Sequence, residues 1–504
     1  MTRTTPESDR DEALQRLRQT LSRRPPSLLI DGEWRPGTLA RTLEVDDPAT
    51  GQPIATIAAG DGTDIDLAVA AARRAFREGP WPRLPASKRA AMLFALADAI
   101  EQEQEDFALL ESLDAGHSLR SIRNGDIPLG LRSLRDYAGW ATKIAGEVPM
   151  RSTDQAGMDY FLREPIGVAA IITPWNAPFL MVVQKLAAAL AAGCTVVIKP
   201  AELAPLSALR IGELCVRVGI LAGVVNIVTG TGAEAGQALA DHRDVNLISF
   251  TGSTEVGQSI MAAAARSNLK RVVLELGGKS PVIVCADADL DKAAKAIVGE
   301  ITFKSGQYCA AGSRVFVQRS VQTALIEKMA VAMDAVRIGA GYLDGFDMGP
   351  MISDRQRQRA QDIVQHSLAA GARAIRGGRA RAGEGYFFEP TLLVDVTPDM
   401  RVAQEEIFAP VLCVMPFDDD ATPAEIAALA NDSRYGLSAK IWARDLGTVH
   451  GLIGLLESGQ VIVNGGGGEA TLPFGGVKQS GYGRENGHIG LSAFTEIKSV
   501  RLGY

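Results

Sequence analysis

Cysteine and histidine are both scarce in this chain, five of each among 504 residues. The cysteines, Cys194, Cys215, Cys285, Cys309 and Cys413, are odd in number and scattered through apolar runs with no CxxC pair. That argues against a disulfide framework and against a zinc or other metal site, and it fits a reducing compartment. Long apolar runs are missing as well. The stretch Leu186 to Ala192 is alanine-rich, is followed by Gly193, and falls far short of the ~20 residues a spanning helix needs. Met1 to Arg24 mixes Arg, Asp and Glu without an apolar segment, so residues 1–26 read as a mobile leader with some helix rather than a signal or anchor. Nor is there an excess of positive charge. With 52 Lys and Arg against 59 Asp and Glu, the formal charge of −7 speaks against nucleic acid or an anionic membrane as partner. A soluble, cytoplasmic protein is the resulting expectation.

Apolar residues at 46% and charged residues at 22% are ordinary for a globular protein, but 504 residues are too many for one core, so two or three domains are expected. Ser27 to Trp34 reads as two short strands about Asp31-Gly32. Asp64 to Arg77, Ser87 to Gln104 and Arg132 to Ile144 carry apolar residues at helical spacing. From Gly167 to Thr254 strands and helices alternate. Strands are expected at 168–172, 195–198, 224–228 and 247–250, with helices at 180–192, 205–218 and 233–240 between them. Such alternation implies a parallel, doubly wound sheet that binds ligands at the carboxyl ends of its strands. A second series starts near Val272, with strands at 282–284 and 314–317 around a helix at 290–303, and runs to about Val463. The tail 494–502 alternates like a strand. The fold class is thus α/β, with two doubly wound domains.

The chemistry concentrates in Gly306-Gln307-Tyr308-Cys309 and Glu275-Leu276-Gly277-Gly278-Lys279. A cysteine nucleophile usually borrows an imidazole to become thiolate. His117, His242, His366, His450 and His488 form no such pattern with Cys309. The remaining arrangement is a carboxylate that handles water and a thiol activated by a helix end or a cation.

On the nucleotide side the chain does not supply a clean G-x-G-x-x-G. Gly230-Thr231-Gly232 opens a turn, Phe250-Thr251-Gly252-Ser253 places a hydroxyl and free backbone N–H groups at a helix start, and Lys199-Pro200-Ala201-Glu202 follows a strand. The second suits a phosphate. The third suits ribose hydroxyls, and its acid would repel a 2′-phosphate.

Taken together these motifs resemble the NAD(P)-dependent aldehyde dehydrogenases over nearly the whole length, from about Leu28 onward. The resemblance rests on Thr173-Pro174-Trp175-Asn176, Lys199-Pro200-Ala201-Glu202, Phe250-Thr251-Gly252-Ser253, Glu275-Leu276-Gly277-Gly278-Lys279, Gly306-Gln307-Tyr308-Cys309, Glu405-Glu406-Ile407-Phe408 and Pro473-Phe474-Gly475-Gly476. It implies Cys309 as nucleophile, Glu275 as general base, and Asn176 with the Cys309 N–H as oxyanion hole. Lys185 and Glu485 would assist proton movement. The cofactor, NAD with NADP as the alternative, would lie against Thr173, Pro174, Trp175, Gly232, Phe250, Ser253 and Leu276. Lys199 and Glu202 would take the adenosine ribose, Glu406 the nicotinamide ribose and Phe408 the nicotinamide. The implied domains are NAD-binding (27–140 and 164–276), catalytic (277–477) and a small β oligomerisation element (141–163 and 478–504) that makes a homodimer or homotetramer. Alternatives are a coenzyme A-acylating relative, which usually lacks the glutamate, and a non-catalytic nucleotide-binding member.

The chain departs from the family at the substrate side. Ala177 stands where a large aromatic is common, Gln184 where tryptophan is common, and the loop Asn464 to Leu472 holds a four-glycine run through Gly468 in place of bulky residues. With Met181, Tyr308 and Phe474 these positions imply a roomy mouth for an aromatic or polar aldehyde, a semialdehyde included. Arg123 and Arg132, on the helical segment at the entrance, read as solvated surface arginines in preference to partners for a substrate carboxylate.

Overall fold

The computed structural model describes residues 7–504 apart from Thr153, Gln155 and Gly468. One sheet runs in the order Glu33–Arg35, Leu28–Ile30, Val225–Ile227, Thr195–Lys199, Val168–Ile172, Leu247–Thr251, Arg271–Glu275 and Gly481–Tyr482. Its five inner strands are parallel and its additions at either end are antiparallel. Every residue of Val168–Ile172 and of the helix-flanked Thr195–Lys199 is buried, as expected of parallel strands covered on both faces. Alternate side chains serve different cores. Ala169 and Ile171 join the helices Ala86–Gln102, Ile127–Trp140 and Pro178–Ala192, while Val168, Ala170 and Ile172 join Gly62–Arg77 and Thr254–Ser267.

The strand order reverses on either side of Val168–Ile172. The crevice outside the carboxyl ends at such a switch point is where this architecture holds ligands. Lys199 ends one of these strands and Thr173, Gly252 and Leu276 each directly follow another, so sequence positions a hundred residues apart reach one edge.

The second sheet has the order Arg373–Arg376, Thr391–Val394, Val411–Phe417, Arg314–Gln318, Pro281–Val284, Ser438–Trp442 and Gln460–Val463. All its pairings but the first are parallel. A separate antiparallel ribbon pairs Gly157–Pro165 with Thr495–Gly503, in register from Pro165↔Thr495 to Gly157↔Gly503. The fold is α/β with two doubly wound sheets, as the patterning implied.

Two elements differ from the sequence reading. The leader is not loose from Glu7 onward: Glu7–Arg23 is a helix whose Ala13, Leu14, Leu17 and Leu21 face the first core at helical spacing. Arg18 donates to the buried Asp47 at 2.6 Å, and Arg24 pairs with Glu213 at 2.9 Å over the Trp34 ring. Residues 1–6 lie outside the described residues. A hairpin, Thr42–Asp47 with Gln52–Ala58, was not foreseen: the first strand alternates but with an acid, Asp47, on its buried side, and the second buries adjacent residues. Among the described residues no helix is long and apolar enough to cross a membrane.

Candidate active site

The nucleophile loop is built under strain. After the helix Leu290–Thr302 the chain turns at Phe303–Gly306 with Lys304 and Ser305 at φ 51° and 58°, where a side chain costs roughly 1–3 kcal/mol per residue. Side-chain bonds hold the turn in place: Ser305 Oγ donates to Gly349 O at 2.7 Å, and the fully buried Gln307 donates to Lys304 O and accepts from Ile352 N. At Gly306, φ 69°, a Cβ would run into the Ala409 carbonyl.

This loop delivers Cys309 half-buried. Burial first, then the carboxylates of Glu406 and Glu275, push its thiol up to about 12, and the amide N–H groups of Ala310 and Cys309 only partly oppose them. Of the helix-end or cationic activation expected, the amide N–H groups act on the thiol in the expected sense, while the side chains that act on it are carboxylates and not cations. The ionisable groups that act on the thiol are acidic, and with burial they hold its pKa above the usual range.

Glu275 ends the strand Arg271–Glu275 and is 3% exposed. Neither of its carboxylate oxygens has a hydrogen-bond partner among the described residues. Burial, reinforced by Glu485 and opposed by Lys185 and Arg484, raises its pKa well above the usual carboxylate range. Gly475 makes room for it: a Cβ there would sit 2.7 Å from Glu275 Oε1, and φ +143° suits only glycine. The next residue back, Phe474, exchanges two 2.8 Å backbone bonds with Glu485. Glu485 accepts from the buried Lys185 ammonium and from Ser249 Oγ at 3.0 Å, while Lys185 also donates to Ser249 at 2.9 Å.

Asn176 lies between the strand Val168–Ile172 and the helix Pro178–Ala192. Its Nδ2 donates to Gln307 O at 2.9 Å, linking it directly to the nucleophile loop. One amide hydrogen stays available to a developing oxyanion.

The crevice beyond has the donors and acceptors of a dinucleotide site. Lys199 Nζ pairs with Glu202 at 3.0 Å. Burial lowers the lysine, and for Glu202 the lysine's charge and local hydrogen bonds outweigh burial, so it stays ionised. Thr231 caps the turn Gly232–Gly236. Ser253 caps the helix Thr254–Ser267 through Val256 N at 3.3 Å, with Gly252 pressed on the Phe250 ring. Leu276 is held by its N–H to Ser480 O. Glu406 accepts from Gly278 N at 2.9 Å and, chiefly through burial, is raised to about 7. A Cβ on Gly277 would collide with that carboxylate. Trp175, between Pro174 and Asn176, meets Phe408 edge-on at 5.3 Å. The buried Thr173 hydroxyl lacks a partner among the described residues. A cation–acid pair, a capped helix start, a second carboxylate and an unspent hydroxyl at one sheet edge fit the two riboses and pyrophosphate of such a cofactor.

At the substrate side Ala177 is buried, Met181, Tyr308 and Phe474 are half-buried, and Tyr308 stands edge-on to Phe303 at 5.9 Å. Gln184 does not open a polar mouth. Its amide is buried and donates to Ser133 at 3.1 Å between two helices, because a buried amide must find a partner. Gly468 lies outside the described residues. Arg123 is committed to Glu105 at 2.7 Å, and Arg132 is exposed.

Sequence reasoning gave no role in the site to His117, Ser249, Lys304, Gln307 and Gly475. One signal was available: Lys304 is the lone charge between Glu300 and Arg314.

A strained thiol loop, a buried carboxylate and an amide donor beside a nucleotide crevice define a two-domain oxidoreductase with a cysteine at its centre. The comparisons carry this further. The aldehyde dehydrogenase family profile matches residues 34–500. Aldehyde dehydrogenase family 2 member C4 of Arabidopsis thaliana is 43% identical over 474 residues, 94% of each chain. The NAD+ complex of an aldehyde dehydrogenase from Bacillus cereus is 41% identical with a TM-score of 0.93, covering 96% of this chain and 98% of that one. The indole-3-acetaldehyde dehydrogenase of P. syringae, a mutant in complex with NAD+ and IAA, is 39% identical with a TM-score of 0.94, covering 98% and 99%. The chain belongs to the aldehyde dehydrogenase family.

Proposed function

We propose that this chain oxidises an aromatic or polar aldehyde to its carboxylic acid with NAD, through a thiohemiacetal and a thioester on Cys309. The observation that carries the reading is the Glu275 carboxylate, buried without a partner and near enough to raise the Cys309 thiol. A group paid for in this way needs a role in the chemistry. The Cys309 thiol gives its proton to solvent water as sulfur adds to the carbonyl carbon, and the Asn176 amide with the Cys309 N–H receives the oxyanion. Held in the crevice by the residues described above, NAD would supply the hydride acceptor. In the second half Glu275 accepts a proton from the water that attacks the thioester, the C–S bond breaks with sulfur leaving as thiolate, and solvent water reprotonates Cys309 as the acid departs. Lys185, Ser249 and Glu485 are hydrogen-bonded to one another, and the charges of Glu485 and Lys185 act on Glu275, which supports this group as the onward acceptor of that proton.

Glu202 supports NAD over NADP, since an ionised carboxylate on the ribose hydroxyls repels a 2′-phosphate. The absence of bulk at Ala177 and the Tyr308–Phe303 ring pair support a ring-bearing substrate. So does the indole-3-acetaldehyde relative. Residues 27–140 with 164–276 are proposed as the NAD domain and 277–477 as the catalytic domain. The remaining segments 141–163 and 478–504 are proposed to assemble a homodimer or homotetramer in the cytoplasm. Met158, Leu162, Ile497 and Leu502 on the ribbon are exposed apolar side chains that such an interface would cover.

The test is kcat/KM with NAD for aliphatic, aromatic and carboxylated aldehydes, wild type beside Cys309→Ala. Cysteine-dependent turnover favouring aromatic aldehydes over acetaldehyde by about tenfold or more is expected, a margin a shaped pocket can supply. Preference for acetaldehyde would overturn the substrate reading, and turnover by Cys309→Ala would overturn the mechanism.

A further inference from the structure

The Asn176 carbonyl lies one residue ahead of the first carbonyl that the helix Pro178–Ala192 uses, that of Ala177, which Met181 N takes at 3.0 Å. A buried carbonyl outside the helix ladder must find donors elsewhere. It finds two. Lys304 Nζ donates to it at 3.0 Å and His117 Nε2 lies at 2.9 Å. Burial, and then the Lys304 charge, push His117 well below the usual imidazole range, so the ring is neutral and donates through Nε2–H. Lys304 is balanced by Asp126 at 2.6 Å, both side chains almost wholly buried.

The bonds close a ring across two domains. Lys304 donates to the Asn176 carbonyl, the Asn176 side chain donates to the Gln307 carbonyl, and Gln307 returns two bonds, from N at 3.1 Å and from Nε2 at 3.2 Å, to the Lys304 carbonyl. Every member is buried, so no water competes for these partners. The ring joins the oxyanion donor to the loop of Cys309, and it holds Lys304 in its left-handed conformation.

We infer that Lys304 is a positioning residue for oxyanion stabilisation: its ammonium, anchored by Asp126, fixes the Asn176 peptide so that the Asn176 amide and the Cys309 N–H converge on one oxygen. The inference rests on the oxyanion role proposed for Asn176. Lys304 touches neither substrate nor cofactor in this scheme. It acts through Asn176, so its effect must disappear when Asn176 cannot donate.

The experiment is a double-mutant cycle on the full-length enzyme with NAD and an aromatic aldehyde: wild type, Lys304→Met, Asn176→Ala and the double variant, with kcat and KM measured separately. Since loss of one oxyanion donor costs about 10²–10³ in rate, Asn176→Ala should fall by that much and Lys304→Met by about tenfold or more, in kcat and with aldehyde KM nearly unchanged. In the Asn176→Ala background Lys304→Met should change kcat by less than about twofold. Because Lys304→Met leaves Asp126 buried and unpaired, the cycle is repeated with Lys304→Met/Asp126→Asn, which removes both charges together. Equal losses in both backgrounds, or no loss in either, overturn the inference while Asn176→Ala remains impaired. Full activity of Asn176→Ala overturns the oxyanion reading itself, and the inference with it.

Discussion

Glu275→Gln separates the two halves of the reaction. The substitution is nearly isosteric, and the wild-type group is already buried without a partner, so the fold should accept a neutral amide in its place. It also removes one of the two carboxylates that raise the Cys309 thiol, so attack on the aldehyde is not impeded on electrostatic grounds. What it removes is the base for the thioester step, a contribution of typically 10²–10⁴ in rate. Stopped-flow measurement of reduced nicotinamide should show a burst approaching one equivalent per chain, followed by turnover slower by about that factor. The pH profile gives an independent check. The Glu275 pKa lies above the usual carboxylate range, so base function is present above that raised value and lost as pH falls through it. The wild type should show this acid limb in kcat, and Glu275→Gln should lack it. A variant whose burst collapses as far as its turnover, or one that turns over normally, would refute the assignment.

With the thiol near 12, alkylation of the free enzyme by iodoacetamide should speed up with every unit of pH from 7 to 10, and a plateau near neutrality would contradict the electrostatics. Gly475→Ala should displace the Glu275 carboxylate, lowering kcat by about tenfold or more through the lost base with NAD affinity retained; unchanged kcat would show that Glu275 does not need this space. Glu202→Gln should raise kcat/KM for NADP relative to NAD by about tenfold or more, the worth of one removed charge repulsion at a half-buried site, and an unaltered ratio would discount Glu202 as the selector.

The strands from Val168 to Thr251 were legible because a parallel strand covered on both faces must be a continuous apolar run, and the helices between them show the 3.6-residue period. The leader illustrates the opposite case. Its charges suggested a loose segment, yet four apolar residues on one face suffice to dock it, and the buried acceptor Asp47 that receives Arg18 is 29 residues away in sequence. Cys309, Glu275 and Asn176 could be singled out by residue type and resemblance, but not the charges around the thiol. The lack of a histidine partner left activation by a helix end or a cation as the expectation, whereas Glu406 comes from 97 residues downstream (406 − 309). Lys304 and His117 were passed over for the same reason. They meet at the Asn176 carbonyl from 128 and 59 residues away, and no spacing rule links them. Gln184 was misread because a polar residue at a pocket position suggests polarity toward the ligand, when a helix neighbour, Ser133, had already taken its donor.

The most direct test of the central claim is to trap the acyl-enzyme. Glu275→Gln is mixed with NAD and an aromatic aldehyde, quenched in acid after the burst, and analysed by intact and peptide mass spectrometry. A mass gain of one acyl group, located on the peptide that carries Cys309 and absent when Cys309→Ala is added to the variant, is the predicted result. A burst of reduced cofactor with no adduct on Cys309, or undiminished aldehyde oxidation by Cys309→Ala, would contradict the account.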